Sequence, residues 1–116
     1  MLVQMLWRFG VSLNIKERFD CSSTGFVYLI YCINCPDAWY FGETSTALRM
    51  RMNGHRQSIR TNNNALPVAD HFNRPGHDLS DLRILGVAGN LPDIHHRKKC
   101  EVGYIIKFKT QVLGWV

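Results

Sequence analysis

Between Gly25 and His55 the chain reads GFVYLIYCINCPDAWYFGETSTALRMRMNGH, and this stretch gathers two phenols (Tyr28, Tyr40), a guanidinium (Arg51), an imidazole (His55) and a Cys-x-x-Cys pair. Hydrolysis of a phosphodiester needs a nucleophilic water, a base to take its proton, positive charge for the developing phosphorane and often a metal for the leaving oxygen. Arginine suits the phosphate because its planar fork donates two hydrogen bonds and stays charged. A phenol titrates near 10 and is a poor base unless nearby positive charge lowers that value. Taken singly, each residue has a plainer role. Two tyrosines in an aromatic-rich hairpin pack across strands, Arg51 and His55 sit on a solvated helix face, and Glu101 is a surface acid of a basic helix. Their joint order, Tyr, Tyr-x-Gly, Leu-x-x-Arg-x-x-x-His, then Glu, is the specific signal.

The cysteines offer a second kind of site. Cys32-x-x-Cys35 can fill two tetrahedral positions of a zinc ion, and His71-x5-His77 falls close to the usual histidine spacing for the other two. His95, His96 and Cys21 are substitute ligands. The alternatives are a reduced pair packed in a turn, a Cys32–Cys35 disulfide, or a redox motif. The last is disfavoured because the pair lies between two strands and not at a helix start, where thiolates are stabilised.

These side chains need elements to carry them. Phe26 to Tyr31 and Ala38 to Phe41 read as strands joined by a link with Asn, Pro and Asp, hence a β-hairpin. Centred near Asn34, it sets Tyr28 across from Tyr40 with both phenols on one face. Leu48, Met52, His55 and Ile59 repeat with helical period behind a Ser45/Thr46 start, so a helix is expected from about Ser45 to Arg60 with Arg51 and His55 on one side. Pro67 opens a short helix to Asn73, closed by Arg74-Pro75-Gly76. Leu82 to Val87 reads as a third strand. Pro92 opens a last helix to about Lys109, with Val102, Ile105 and Ile106 facing the core, although Gly103 within it costs about 1 kcal/mol relative to alanine. The order β-β-α-α-β-α predicts an α+β domain: a small three-stranded antiparallel sheet flanked by helices.

At this point the residues resemble the GIY-YIG nucleases. Phe26-Val27-Tyr28 stands at the first motif, Tyr40-Phe41-Gly42 at the second, and Leu48-x-x-Arg51-x-x-x-His55 at the helix motif. Pro67 to Phe72, Gly76-His77, Glu101 and Leu113-Gly114 are most similar to the endonuclease domain of Penelope-like retroelements, over roughly residues 21 to 114. The resemblance implies that Tyr28 acts on the nucleophilic water with Tyr40 as its partner. It implies that Arg51 binds phosphate, that His55 contacts the phosphate or leaving group, and that Glu101 ligates a catalytic Mg²⁺ or Mn²⁺. It makes Cys32, Cys35, His71 and His77 a structural zinc site, and it implies DNA nicking in retroelement integration, in a nucleus, beside a reverse transcriptase that this chain lacks. Residues 1 to 20 would then be a linker, and 21 to 116 the endonuclease domain, a monomer or weak dimer. The departures are Phe26 where the first motif has a small residue, Phe41 in place of Ile or Val, and Trp115 where the family has Asn. The alternative on those departures is a catalytically inactive, zinc-stabilised nucleic-acid-binding remnant; a redox or metal-storage protein is a third reading.

Composition is consistent with one domain: 116 residues, 46% hydrophobic and 20% charged, can build a core. Lys+Arg 14 against Asp+Glu 9 gives +5, which favours a polyanionic partner. Arg49, Arg56 and Arg60 on one helix, and Lys98 and Lys99 in the run His95 to Lys99, are the candidate DNA contacts. Solvated helix faces are the plain reading of both clusters. No apolar run reaches the roughly 20 residues of a membrane span, and MLVQMLWRFGVSL, without a basic start and interrupted by Arg8, makes a poor secretory signal. An intracellular, reducing compartment is expected.

Overall fold

The computed structural model describes residues 23–35 and 38–113, with side chains through 107, together with two short strands, β1 (Leu2–Val3) and β2 (Leu13–Asn14), which pair antiparallel. The expected order then follows: β3 (Phe26–Cys32), β4 (Trp39–Thr44), α1 (Leu48–Arg60), α2 (Pro67–Phe72), β5 (Leu82–Ala88) and α3 (Ile94–Leu113). β3, β4 and β5 form one antiparallel sheet in the order β4-β3-β5, so the fold is α+β as the pattern predicts. β3 is apolar on both faces because it is the central strand, and Phe26 to Ile30 are at most 2% exposed.

The alternation of β3 separates two cores. Tyr28, Ile30 and Cys32 pack with Met52 and Ile59 of α1 and with Val68, Ala69 and Phe72 of α2. Val27 and Leu29 point the other way, joined by Phe41 and Val87, with Cys100, Tyr104 and Ile105 of α3 as cover. The helices therefore lie on both faces, and β4 is left as an edge strand along which both can reach a site.

The hairpin register corrects one expectation. Tyr28 pairs with Gly42, and Ile30 with Tyr40. Cys32 to Cys35 forms a turn of its own, closed by the Cys35 N–H donating to the Cys32 carbonyl at 3.3 Å, and this lengthens the loop and moves the partner of Tyr28 by two residues. A two-residue shift preserves the face, so both phenols still stand on the α1 side. The start of α1 also differs. The Thr44 hydroxyl accepts from the Thr46 N–H at 3.2 Å, which holds Ser45 and Thr46 in a bend, and the helix begins at Leu48 behind Ala47, which makes no side-chain cap. On α3, Ile105 faces the core as expected, but Val102 and Ile106 are 52% and 61% exposed. The phase of α3 is set by Arg97, which is buried against β4, and Gly103 turns outward, where a Cβ would meet nothing within 4 Å.

Candidate active site and metal centre

Tyr28 reaches its site by crossing β4 at Gly42. A Cβ at Gly42 would lie 2.5 Å from the Tyr28 hydroxyl and 2.6 Å from Cζ, so only glycine there lets the ring pass. The hydroxyl then meets two groups from α1: Arg51 Nε donates to it at 3.0 Å, and His55 Nε2 lies 2.9 Å away. Arg51 can only donate, which makes the phenol oxygen an acceptor there and leaves its own proton to be donated to His55. That assigns His55 as the neutral imidazole with its proton on Nδ1. Burial first, and the charge of Arg51 second, push the His55 pKa down to about 4, in keeping with the neutral form. The Tyr40 ring stands edge-on to His55 with centroids 6.3 Å apart.

The charge of Arg51 does not by itself bring the Tyr28 phenol below its usual range. Burial raises its pKa and outweighs the hydrogen bond and charge of Arg51, while Tyr40 and Glu101 push the same way as burial. Tyr28 is 1% exposed, whereas Arg51, His55, Tyr40 and Ser58 line a small cleft of about 70 Å³ closed by Leu66 to Ala69. Glu101 is held up in pKa by burial foremost and by Glu43, against the pull of Lys98. Its Oε2 is buried and has no hydrogen-bond partner. An orphaned, buried carboxylate oxygen fits an oxygen-ligated divalent cation, and Glu101 stands outside the lining of the Arg51–His55 cleft.

Sequence reasoning missed Arg97 as an organising residue. Its Nε donates to Glu43 Oε1 at 2.9 Å, its terminal nitrogen donates to the Leu91 and Pro92 carbonyls at 2.8 and 2.9 Å, and Lys98 lies 3.2 Å from Glu43 Oε2. The spacing of Arg97 and Glu101, four apart on one helix face, was the available signal. Burial acts to raise the Glu43 pKa, but the hydrogen bonds from Arg97 and Lys98 prevail and hold it below the ordinary carboxylate value. Of the expected DNA contacts, Lys98 is engaged by Glu43 and Lys99 is exposed. Arg49, Arg56 and Arg60 follow one another around α1 on the flank away from Arg51, given about 100° per residue. The fold thus brings Arg51 to the cleft and leaves the other three arginines on the far side of the helix.

Acid should weaken the fold in two stages. His55 has its pKa depressed from 6.5 to about 4 in the folded chain, so the unfolded state binds more protons between those values and stability declines as pH falls through them. Glu43, depressed from 4.5, contributes stability that is present above its unfolded pKa and is lost as pH falls through its folded value. Urea unfolding of the wild type at pH 7 and pH 5 should show the first decline, and a His55→Gln variant should lack it. An equal decline in both proteins would remove His55 as its source.

At the hairpin tip, one ligand atom each from Cys32, Cys35 and His71 lies within 4.8 Å of the others, and this group could hold a metal ion. Cys32 is not in a disulfide, which removes the Cys32–Cys35 disulfide alternative. His77 Nε2 is 3.2 Å from Cys35 Sγ, and its ring packs edge-on to His71 at 4.6 Å. The other nitrogen, Nδ1, lies 3.0 Å from the Pro75 carbonyl and must donate to it, so Nε2 carries the lone pair. His95 and His96 are exposed on α3 and do not join the group, and Cys21 lies outside the described residues. Among the described residues no helix is long and apolar enough to cross a membrane. Comparison with family models, curated proteins and solved structures finds no match to this chain.

Proposed function

We propose that this chain is a metal-dependent DNA endonuclease domain of the GIY-YIG type that nicks one strand by hydrolysis, with a structural zinc bracing the hairpin, in the service of retroelement integration. The observation that carries the reading is the Tyr28 hydroxyl held between Arg51 Nε and His55 Nε2. The Tyr28–His55 pair has one proton between two bases, with the neutral imidazole at the cleft. The pair takes the proton of the attacking water through the phenol oxygen, which passes its own proton to His55 Nε2, leaving a neutral phenol and an imidazolium. Arg51 spends only its Nε proton on Tyr28, so its terminal donors remain for the phosphate lining up in the cleft. A divalent cation at Glu101 would supply positive charge to the departing oxygen. Phe26 and Phe41, which depart from the resembled motifs, lie clear of this clasp. Phe26 packs over Gly86, and Phe41 stacks on Tyr104 at 5.8 Å on the opposite face. Trp115 lies outside the described residues.

Zinc is the metal favoured at the tip. Two thiolates and two imidazoles make a tetrahedral Cys₂His₂ set, whose edges should be about 3.3–3.8 Å for Zn–S near 2.3 Å and Zn–N near 2.0 Å. The ligand atoms of Cys32, Cys35 and His71 lie within 4.8 Å of one another, His77 Nε2 lies 3.2 Å from Cys35 Sγ, and the tautomer of His77 suits ligation through Nε2.

The test is conversion of supercoiled plasmid to open circle with Mg²⁺ or Mn²⁺. Nicking by the wild type should fall at least about 100-fold in Arg51→Ala and in Glu101→Ala variants of equal zinc content, with folding unchanged. A folded, zinc-loaded protein that shifts DNA without nicking it would instead be a binding module, with Arg51→Ala only reducing the salt dependence of binding by about one phosphate contact.

A further inference from the structure

A second cleft, of about 210 Å³, adjoins the one that holds Arg51 and His55, and Tyr40, Pro67 and Val68 belong to both. Tyr40 at the divide and Phe72 from α2 supply its aromatic walls, whereas the Tyr31 and Trp39 rings pack on the opposite face of the sheet. Arg74 stands in the same lining with its side chain 58% exposed, and no carboxylate is among the described residues that form it. A recess walled by Tyr40 and Phe72, with Arg74 at its rim paired to Asp70, suits a flat, uncharged ring attached to a phosphate. Aromatic side chains hold bases through their π-faces with little regard to sequence, and arginine adds stacking and phosphate pairing.

We propose that this cleft receives one unstacked base of the bound strand, beside the phosphate at Arg51, so that the domain acts on bulged or unpaired DNA in preference to continuous duplex. The proposal rests on the nuclease reading for the identity of the polymer and deepens it by naming the substrate. Tyr40 is the physical basis: its ring faces His55 on one side and forms the wall of the aromatic cleft on the other. A phosphate in the small cleft therefore places its neighbouring base at the mouth of the large one. A base inside a duplex must first be extruded to enter, and extrusion is least costly where pairing is already absent. Arg74, on the α2 side, is placed to pair with the phosphate of that nucleotide.

The experiment compares binding of the zinc-loaded full chain, without Mg²⁺, to two duplexes that differ at one bulged position, thymidine in one and an abasic residue in the other. Both present the same phosphates, so only the base can separate them. The bulged thymidine should bind about tenfold more tightly, the scale of one base stacked on an aromatic side chain. Tyr40→Leu should bring the two affinities together, while Arg74→Gln, at an exposed side chain paired with the surface carboxylate of Asp70, should weaken both duplexes alike. Tyr40 is 37% exposed, so its leucine variant should fold, and the comparison on the wild type decides by itself in either case. Equal affinity for the two duplexes overturns the proposal. Nicking is assayed in parallel: base discrimination without nicking keeps the subsite and sinks the nuclease, and nicking without discrimination does the reverse.

Discussion

Gly42→Ala should abolish plasmid nicking in a chain that still folds, at a cost of about 1–3 kcal/mol in stability. The added methyl would lie 2.5 Å from the Tyr28 hydroxyl, far inside contact distance, and the phenol is anchored deep in the core and cannot simply turn aside. Either β4 moves outward or Tyr28 leaves its place between Arg51 and His55, and both outcomes break the clasp. Gly86→Ala is the matched control. Its methyl would meet Leu48 Cδ1 at 2.9 Å and Phe26 Cδ1 at 3.1 Å, on the same sheet face but away from the hydroxyl. It should lower the urea midpoint comparably and leave nicking largely intact. Full activity in Gly42→Ala would show that the observed position of Tyr28 is irrelevant to catalysis.

Metal removal has the second large effect. On the proposed reading the purified protein carries about one equivalent of zinc, and chelation should lower its melting temperature by more than about 10 °C, since a ligand present at about 1,000 times its dissociation constant contributes about 4 kcal/mol. The physical reason is local. The turn Cys32 to Cys35 joins two strands of the sheet, and His71 belongs to α2, whose Val68, Ala69 and Phe72 complete one of the two cores. A bound ion ties these together through contacts that packing alone does not make. His77→Ala should weaken zinc at least tenfold without disturbing that core, because His77 lies after α2 in the chain. No zinc by elemental analysis after metal-free purification, or a melting temperature indifferent to chelator, would remove the zinc reading and leave the nuclease reading standing.

Much of the fold was legible because it depends on local pattern. The run Phe26 to Tyr31, apolar throughout, announced a central strand, and the spacing of Leu48, Met52, His55 and Ile59 announced the buried face of α1; the structure contains both. The hairpin register was not legible, because it hangs on how many residues the Cys32–Cys35 turn absorbs, and strand residues carry no mark of their partner. The face of α3 was hidden for a related reason. Val102 and Ile106 are as apolar as Ile105, and only the demand that Arg97 meet Glu43 rotates the helix to expose them.

The candidate site divides along the same line. Residue types and spacing by themselves offered two Cys and two His as a candidate metal set, and the resemblance they carry singled out Tyr28, Tyr40, Arg51, His55 and Glu101 as candidates for phosphate chemistry. Only the tertiary structure decided their protonation and geometry. Burial raises the Tyr28 phenol and holds His55 neutral, so the proton between them sits on the tyrosine. Desolvation and long-range contact set these properties, and both arise when segments distant in the chain close over one another, which no local pattern encodes.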